Sequence, residues 1–213
     1  MSDLSVVLLF VKSPERGKVK SRLGNAIGDD MALDVYRCLV SNTLDMLGAG
    51  KYDVRLCFYP PDSHGVVEDW LGSGHCYVPQ QGGDIGERMK NAFVQAFSEG
   101  VEKAVLIGSD IPDLSISLIN EAVSALDISD AVIGPAHDGG YYLIGFNRHS
   151  FLANIFQGIV WSTGSVYHET MNIFGQSGSR VHVLTGLSDV DTLGDLLSFY
   201  ERYSAKRGGH DGT

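Results

Sequence analysis

The sequence of 213 residues lacks the features that mark several specialised classes of protein. Its three cysteines, at positions 38, 57 and 76, form no CxxC pair and no cluster with histidines, so neither a zinc site nor a disulfide framework is indicated. No apolar run approaches the roughly 20 residues of a membrane span, and the first residues lack the basic stretch of a secretion signal. We therefore expect reduced thiols and a cytoplasmic protein with no membrane span.

Common nucleotide-binding and catalytic motifs are absent as well. The chain has neither GxGxxG nor GxxxxGK[ST], which excludes a Rossmann fingerprint and a P-loop. It has no GxSxG, so an acyl-transfer elbow is not indicated. The formal net charge of −10 argues against a non-specific nucleic-acid binder. A phosphate ligand stays compatible with this charge, because a few local cations are enough to bind it.

The composition is that of an ordinary globular protein, with 44% hydrophobic and 20% charged residues. Short apolar runs predict strands over residues 5–11, 52–59, 76–78, 104–107, 131–135, 141–146 and 181–184. Helical patterns alternate with them, over 29–47, 66–71 and 164–174 and after residues 88, 115 and 192. This alternation predicts an α/β fold with a mostly parallel, doubly wound sheet and helices on both faces. We expect one domain over 1–205 and a disordered tail over 206–213.

The run from Ala104 to Ile107 predicts a strand that is buried on both faces and therefore central. It is followed by Ser109 and Asp110, and Pro112 prevents the strand from continuing. In open α/β sheets, ligands bind at the carboxyl ends of such strands. Asp110 is therefore the leading candidate for a functional carboxylate, although both side chains could instead only cap the turn.

A cationic loop follows the first predicted strand. Between Lys12 and Arg22 the chain has five cations in eleven residues, interrupted by a proline and a glycine. A loop directly after a first strand is a common binding place for phosphates. Because the protein as a whole is acidic, this concentration of positive charge favours an anion ligand over a merely solvated loop.

Two further acidic turns lie at predicted strand ends, one at His137-Asp138 and one at Asp189-Val190-Asp191. Asp110 and Asp138 together could supply the incomplete carboxylate shell that Mg²⁺ uses beside phosphates. Asp191 is better interpreted as a cap of the last helix, since Asp-x-Asp-Thr before a helical pattern suits that purpose.

Three other features have both a functional and a structural interpretation. His137 could act as a general base, or only fill a glycine-rich turn by hydrogen bonding. Trp161 could stack on a sugar or a base, or belong to the core. The glycines between Gln81 and Glu87 would let the backbone approach a flat ligand.

Six ordered blocks of the sequence resemble the signature of a family of small bacterial glycosyltransferase-like proteins of the GT-A, or nucleotide-diphospho-sugar transferase, fold. The blocks are FVKSPERGKVKSRL at 10–23, QGGDIGERM at 81–89, IGSDIP at 107–112, GPAHDGGYYLIG at 134–145, WST at 161–163 and DVDT at 189–192. The resemblance extends over about residues 5–200, and it implies that fold and an activated nucleotide donor.

The resemblance also implies roles for individual residues. Asp110 takes the place of the acidic motif that holds Mg²⁺ or Mn²⁺ on the donor diphosphate. Asp138, as its possible second ligand, and His137 stay catalytic candidates on the residue-based grounds given above. The substrate-binding residues that the resemblance implies are Lys12, Arg16, Lys20 and Arg22 for phosphates and Gly82, Gly83 and Arg88 for the base. The other candidates come from their positions in the sequence: Ser109 beside Asp110, and Gly139, Gly140 and Trp161 on the expected acceptor side. The base region is similar to the GGxxR segment of cytidylyltransferases that act on methylerythritol phosphate, with one extra residue.

Two chemistries fit these roles. The first is a metal-dependent transfer from a nucleotide-diphospho-sugar donor to a small-molecule acceptor that the sequence does not identify. The second is nucleotidyl transfer to a sugar phosphate or phospho-acid, because KSRL at 20–23 also resembles the guanylyltransferases that activate 2-phospholactate. A non-catalytic sugar-nucleotide-binding protein is a third interpretation. The sequence indicates no oligomeric state.

Overall fold

The computed structural model describes residues 5–208, with side chains up to residue 204. Seven strands form one sheet, and all the predicted strands are among them. They are β1 (Ser5–Lys12), β2 (Asp53–Tyr59), β3 (Cys76–Pro79), β4 (Lys103–Ile107), β5 (Ala131–Pro135), β6 (Tyr141–Asn147) and β7 (Val181–Val183). Their order in the sheet is β3-β2-β1-β4-β6-β5-β7.

The sheet is mostly parallel, as the sequence predicts. Strand β1 pairs in parallel with β2 and β4, β2 with β3, and β5 with β7. Strand β6 runs antiparallel to both of its neighbours, β4 and β5. The reversal arises because the turn at residues 136–140 is too short for a crossover, so β5 and β6 form a hairpin.

Helices cover both faces of the sheet. They are α1 (Ser21–Ile27), α2 (Asp29–Gly48), α3 (His64–Leu71), α4 (Ile85–Ser98), α5 (Ile116–Ala125), α6 (Val166–Ser177) and α7 (Leu193–Gly208), with a 3-10 turn at Ala153–Phe156. Helices α2, α3 and α5 contribute to one buried apolar cluster, and α4 and α6 contribute to another.

Strand β1 shows why the central strands are apolar throughout. Its Val7 and Leu9 belong to the cluster on one face, and Val6 and Leu8 belong to the cluster on the other. Successive side chains of a strand point to opposite faces, so a strand covered on both sides needs apolar residues at every position. The chain adds β2 and β3 on one side of β1 and then crosses to β4 on the other. This switch between β1 and β4 is where such sheets open a crevice.

Two parts of the sequence-based prediction are wrong in detail. Helix α1 begins inside the stretch interpreted as a loop, and its N-cap residue, Lys20, makes no side-chain capping bond that could have signalled it. The apolar residues of the helix predicted after residue 192 are only partly packed in α7, because Leu197 and Tyr200 are 53% and 67% exposed. Of the predicted tail over 206–213, residues 206–208 continue α7 and the others lie outside the described residues. None of the helices within residues 5–208 is long and apolar enough to cross a membrane.

Candidate functional site

A pocket of about 240 Å³ opens at the carboxyl ends of β1, β2 and β4. Its lining combines apolar and aromatic side chains with cations and carboxylates. The lining residues are Phe10, Val11, Lys12, Val19, Lys20, Tyr36, Tyr59, Gln80, Ile85, Arg88, Gly108, Ser109, Asp110 and Asp191. We call this the first pocket. It contains four of the predicted substrate-binding residues, Lys12, Lys20, Arg88 and Ser109, together with Asp110.

An ion-pair network forms one wall of the first pocket. Lys20 Nζ donates hydrogen bonds to Asp110 Oδ2 at 2.9 Å and to Asp191 Oδ1 at 2.7 Å. The Lys20 side chain is only 5% exposed, whereas the two carboxylates are 36% and 37% exposed. Arg22 Nη1 approaches Asp191 Oδ2 to 3.8 Å from the solvent side. The cationic loop and the acidic strand end predicted from the sequence therefore meet directly.

Asp191 reaches this network because of the path of the chain after β7. Leu187 N donates to Pro135 O, and Val190 N donates to Asp110 O at 3.1 Å. These bonds hold the segment against the ends of β5 and β4. They place Asp191 beside Asp110, although the two residues are 81 positions apart in the sequence.

The interpretation of Asp191 as the helix cap is wrong. Thr192 Oγ1 accepts a hydrogen bond from Asp195 N, and the Asp195 carboxylate accepts bonds from the backbone N–H groups of Asp191 and Thr192. Thr192 and Asp195 thus cap α7 between them in the manner of a capping box. The Asp191 carboxylate is left free to face Lys20.

Burial and neighbouring charges shift the pKa values of Lys20 and Asp189. Burial would lower the pKa of the Lys20 ammonium, but the charges of Asp110 and Asp191 outweigh it, and the pKa lies above its ordinary value. Burial raises the pKa of Asp189 to about 6, and the neighbouring carboxylates, Asp191 first, act in the same direction. Burial and the neighbouring charges thus oppose each other at Lys20 and act together at Asp189.

Asp110, Asp189 and Asp191 form a cluster whose ligand oxygens lie within 4.8 Å of one another. Three carboxylates are a donor set that suits a hard divalent cation, so these residues fit such an ion. The predicted partner, Asp138, is not part of this cluster, because its Oδ1 accepts a hydrogen bond from Gly140 N at 2.9 Å in its own turn. Of the metal pair predicted from the sequence, Asp110 therefore lies in this cluster and Asp138 lies outside it, and the cluster is completed by Asp189 and Asp191, which were not predicted as metal ligands.

Another wall of the first pocket is partly aromatic. The Arg88 guanidinium lies 4.3 Å from the centroid of the Tyr59 ring. Its Nε is buried and has no hydrogen-bond partner among the described residues. Gln80 is buried beside it, with Nε2 donating to Cys57 O at 2.7 Å. A planar group can pack against such a surface and find polar atoms at its edge.

Gly82 and Gly83 shape this wall without lining it. Gly82 has a φ of +141°, and a Cβ there would lie 2.7 Å from Glu87 Cβ. Gly83 N donates to Glu87 Oε2, and Asp84 Oδ1 accepts from Glu87 N, which completes the start of α4. The absence of a Cβ at Gly82 thus lets the loop lie close to the first turn of α4. The effect of this close approach is to fix the position of Arg88 one turn into the helix.

A second pocket of about 390 Å³ adjoins the first, and both are lined by Ile85 and Asp191. Its other walls include Arg22, Asp138, Gly140, Trp161 and Thr163. Trp161 is partly buried and packs on the first turn of α4, where a Cβ at Gly86 would lie 2.3 Å from Trp161 Cζ2. The structure thus brings together the predicted residues of the 138–140 turn and Trp161, with the acidic cluster between the two pockets.

Two predicted site residues lie elsewhere. His137 is exposed, its Nδ1 lies 3.0 Å from Ser188 Oγ, and it lines neither pocket. Its hydrogen bonding fits the structural interpretation of the turn. Arg16 is 64% exposed and pairs with Asp30, with 2.6 Å between Nε and Oδ1. Asp30 raises the pKa of Arg16 and directs the guanidinium toward the start of α2. Three pocket residues, Tyr36, Tyr59 and Gln80, were missed, because their sequence patterns indicate only core or strand positions.

The location of Arg16 leads to a first prediction. Arg16→Ala should leave the affinities for Mn²⁺ and nucleotides unchanged within about twofold, because an exposed and screened ion pair outside the pockets contributes little to them. Lys12→Ala is the matched comparison, since Lys12 lines the first pocket and a charge-assisted bond to phosphate contributes roughly 1.5–3 kcal/mol. Titration calorimetry measures both, and a similar loss in the two variants would contradict this assignment.

The doubly wound sheet, with its pocket at the switch between β1 and β4, is the nucleotide-diphospho-sugar transferase fold. The chain belongs to the DUF2064 family, uncharacterized proteins conserved in bacteria, whose family model matches residues 43–163. It is 44% identical to a crystal structure from Desulfovibrio desulfuricans G20 that is provisionally named a nucleotide-diphospho-sugar transferase. That match covers 94% of this chain and 87% of the other, with a TM-score of 0.90. The family and fold predicted from the sequence motifs are thus confirmed.

More distant structures share the fold alone. The 4-diphosphocytidyl-2C-methyl-D-erythritol synthase of Anaerococcus prevotii DSM 20548 is 14% identical, with a TM-score of 0.60 over 95% of this chain and 100% of that one. Rv0371c of Mycobacterium tuberculosis H37Rv, solved with manganese, is 17% identical, with a TM-score of 0.55 over 92% of this chain and 97% of that one. No curated protein matches the chain.

Proposed function

We propose that the chain is a divalent-metal-dependent transferase that uses a nucleotide-diphospho-sugar donor and a small-molecule acceptor. The observation that carries this proposal is the arrangement of two adjoining pockets with a carboxylate cluster at their junction, where Asp191 lines both. A donor has a base, a diphosphate and a sugar in sequence, and this arrangement provides a separate surface for each. The provisional name of the relative from Desulfovibrio desulfuricans supports the same class of donor.

The base of the donor would occupy the first pocket. The Arg88 guanidinium lies over the Tyr59 ring, so a planar base could stack against this pair and accept hydrogen bonds from the guanidinium. The diphosphate would then extend toward three cations: Lys12 at the end of β1, Lys20 in the following loop and Arg22 in the first turn of α1. Arg16 has no part in this, because it is paired with Asp30.

Asp110, Asp189 and Asp191 would hold Mg²⁺ or Mn²⁺ at the junction. When bound, such a cation neutralises the charge that develops on a departing diphosphate. The sugar and the acceptor would occupy the second pocket, where Trp161 offers an apolar face and Asp138 a carboxylate. A carboxylate exposed to the acceptor can receive its hydroxyl proton as the new bond forms.

Nucleotidyl transfer is the second candidate, and one comparison favours it. The fold is shared with cytidylyl-transferring enzymes such as the Anaerococcus prevotii synthase. In that reaction the α-phosphate is attacked and pyrophosphate leaves. The loop cations would then hold a triphosphate, and the second pocket would hold a sugar phosphate or phospho-acid.

The products distinguish the two reactions. With Mn²⁺ and no acceptor, the protein should slowly hydrolyse a nucleotide sugar to the nucleoside diphosphate, because water can replace the acceptor in an open second pocket. It should release no pyrophosphate from nucleoside triphosphates offered with sugar phosphates or phospho-acids. Chromatography of the nucleotides and a pyrophosphate assay measure both, across the four common bases.

Asp110→Asn serves as the control in both assays, since a contaminating activity would survive in that variant. Stoichiometric pyrophosphate together with a new nucleotide conjugate, both lost in Asp110→Asn, would replace sugar transfer by nucleotidyl transfer. Binding of nucleotide sugars with neither reaction would favour a non-catalytic binding protein.

A further inference from the structure

Lys20 is held in a way that a permanent phosphate-binding lysine would not need. Its ammonium lies between Asp110 and Asp191, at 2.9 and 2.7 Å from their oxygens, and the side chain is only 5% exposed. These are two of the three carboxylates that form the acidic cluster. The cation already present in the cluster is therefore the chain's own.

A divalent cation bound to Asp110 and Asp191 would compete with this ammonium for the same two carboxylates. Two positive charges a few ångströms apart repel each other strongly at a site of low dielectric. The ammonium and the metal ion therefore cannot both occupy the space between the two carboxylates. One of them has to leave when the other enters.

We propose that Lys20 is the resident counter-ion of the acidic cluster and is exchanged for the divalent cation when the donor binds. This inference rests on the proposed function, because it needs the metal at this cluster. The released ammonium has a second position at hand: Lys20 lines the first pocket together with Lys12, where the diphosphate would lie. One side chain thus makes metal binding and phosphate binding favour each other.

Charge counting supports an exchange rather than a fixed ion pair. The cluster has three carboxylates, of which Asp110 and Asp191 pair with the buried ammonium, and Arg22 contributes only a solvent-exposed guanidinium 3.8 Å from Asp191 Oδ2. A divalent cation would neutralise the cluster better than a single ammonium does. Without the metal, however, Lys20 keeps the carboxylates from repelling one another. The exchange therefore keeps a positive charge between Asp110 and Asp191 in both states.

The test measures Mn²⁺ binding to the purified protein without nucleotide, by calorimetry and by the electron paramagnetic resonance signal of free Mn²⁺. Lys20→Met removes the competing ammonium at similar size, so Mn²⁺ should bind at least about tenfold more tightly than to the wild type, equivalent to about 1.4 kcal/mol. Arg22→Met is the matched control, because it removes a cation beside the same carboxylate that does not lie between Asp110 and Asp191. Its Mn²⁺ affinity should change less than about threefold.

Melting temperatures show whether the variant is folded and give a second measure of Mn²⁺ binding. Without metal, Lys20→Met should unfold at a lower temperature than the wild type, and Mn²⁺ should raise its melting temperature more than it raises that of the wild type. If Lys20→Met does not fold, Lys20→Gln, which keeps a hydrogen-bond donor without the charge, is measured in its place.

The outcomes separate this inference from the proposed function. Equal or weaker Mn²⁺ binding in the Lys20 variant, with binding in the wild type, overturns the exchange and leaves the metal site in place. An equal gain in Lys20→Met and Arg22→Met also overturns it, since the effect is then one of general charge. Failure of Mn²⁺ to bind any of the proteins at millimolar concentration overturns both proposals.

Discussion

Asp110→Asn should abolish tight Mn²⁺ binding and, with it, metal-dependent binding of nucleotide sugars. The amide keeps the shape of the side chain but removes the charge that attracts the cation. Loss of a residue that only supports a metal ligand typically costs about 10–100-fold in affinity, so loss of a ligand's charge should cost at least as much. Calorimetric titration with Mn²⁺, and with nucleoside diphosphates and nucleotide sugars in its presence, measures the effect.

The same substitution should leave the fold intact. Lys20 keeps its bond to Asp191, and the amide oxygen of the substituted side chain can still accept a hydrogen bond. We therefore expect a loss of about 1 kcal/mol in the free energy of unfolding, the magnitude of one hydrogen bond. Unchanged circular dichroism would verify the fold.

Asp138→Asn is the informative comparison for Asp110→Asn. Asp138 lies outside the carboxylate cluster and accepts a hydrogen bond from its own turn. The variant should therefore keep the Mn²⁺ affinity of the wild type while losing turnover. A large loss of Mn²⁺ binding in Asp138→Asn would restore the metal pair predicted from the sequence.

The second large effect is expected at Gly139. This residue has a φ of +91°, and a Cβ would lie 2.1 Å from Gly164 O. Gly139→Ala should therefore force the 136–140 turn away from the loop that contains Trp161. The left-handed conformation costs about 1–2 kcal/mol in a non-glycine residue, and forced overpacking adds about 1–3 kcal/mol. Turnover should fall steeply, because both segments form the second pocket.

Gly100→Ala separates backbone strain from the clash. Gly100 has the same φ of +91°, but no atom lies within 4 Å of a Cβ built there. It should show the conformational cost alone and keep full activity. Urea denaturation and the hydrolysis assay compare the two variants. Nucleotide binding in the first pocket should survive in both, and its loss in Gly139→Ala would mean that the two pockets are not independent.

The sequence predicts the part of the site that depends on local order. Asp110 follows an unbroken apolar strand, and the cationic loop follows another, so the parallel sheet brings both to one edge. Even the reversal of β6 can be predicted, because the connection at 136–140 is too short for a parallel crossover.

The remainder of the site depends on long-range contacts that leave no local pattern. Asp191 reaches Asp110 through the bond from Val190 N to Asp110 O, which belongs to a segment with no regular structure. The DVDT block also has a sufficient local explanation as a cap, and only the structure shows that Thr192 and Asp195 cap the helix instead. The pairing of Arg16 was not predicted either, because its partner, Asp30, lies in α2 and no local pattern connects the two residues.

The two pockets are lined mostly by different parts of the chain, and the second of these parts begins at the turn of the β5–β6 hairpin. With the exception of Asp191, the first pocket is built from residues 10–110, whereas most of the second comes from residues 138–166. Under the proposed function, divergence in the later segment would change which acceptor a family member uses while its donor stays the same. Relatives that share the first half of the chain would then form a series with one donor and many products.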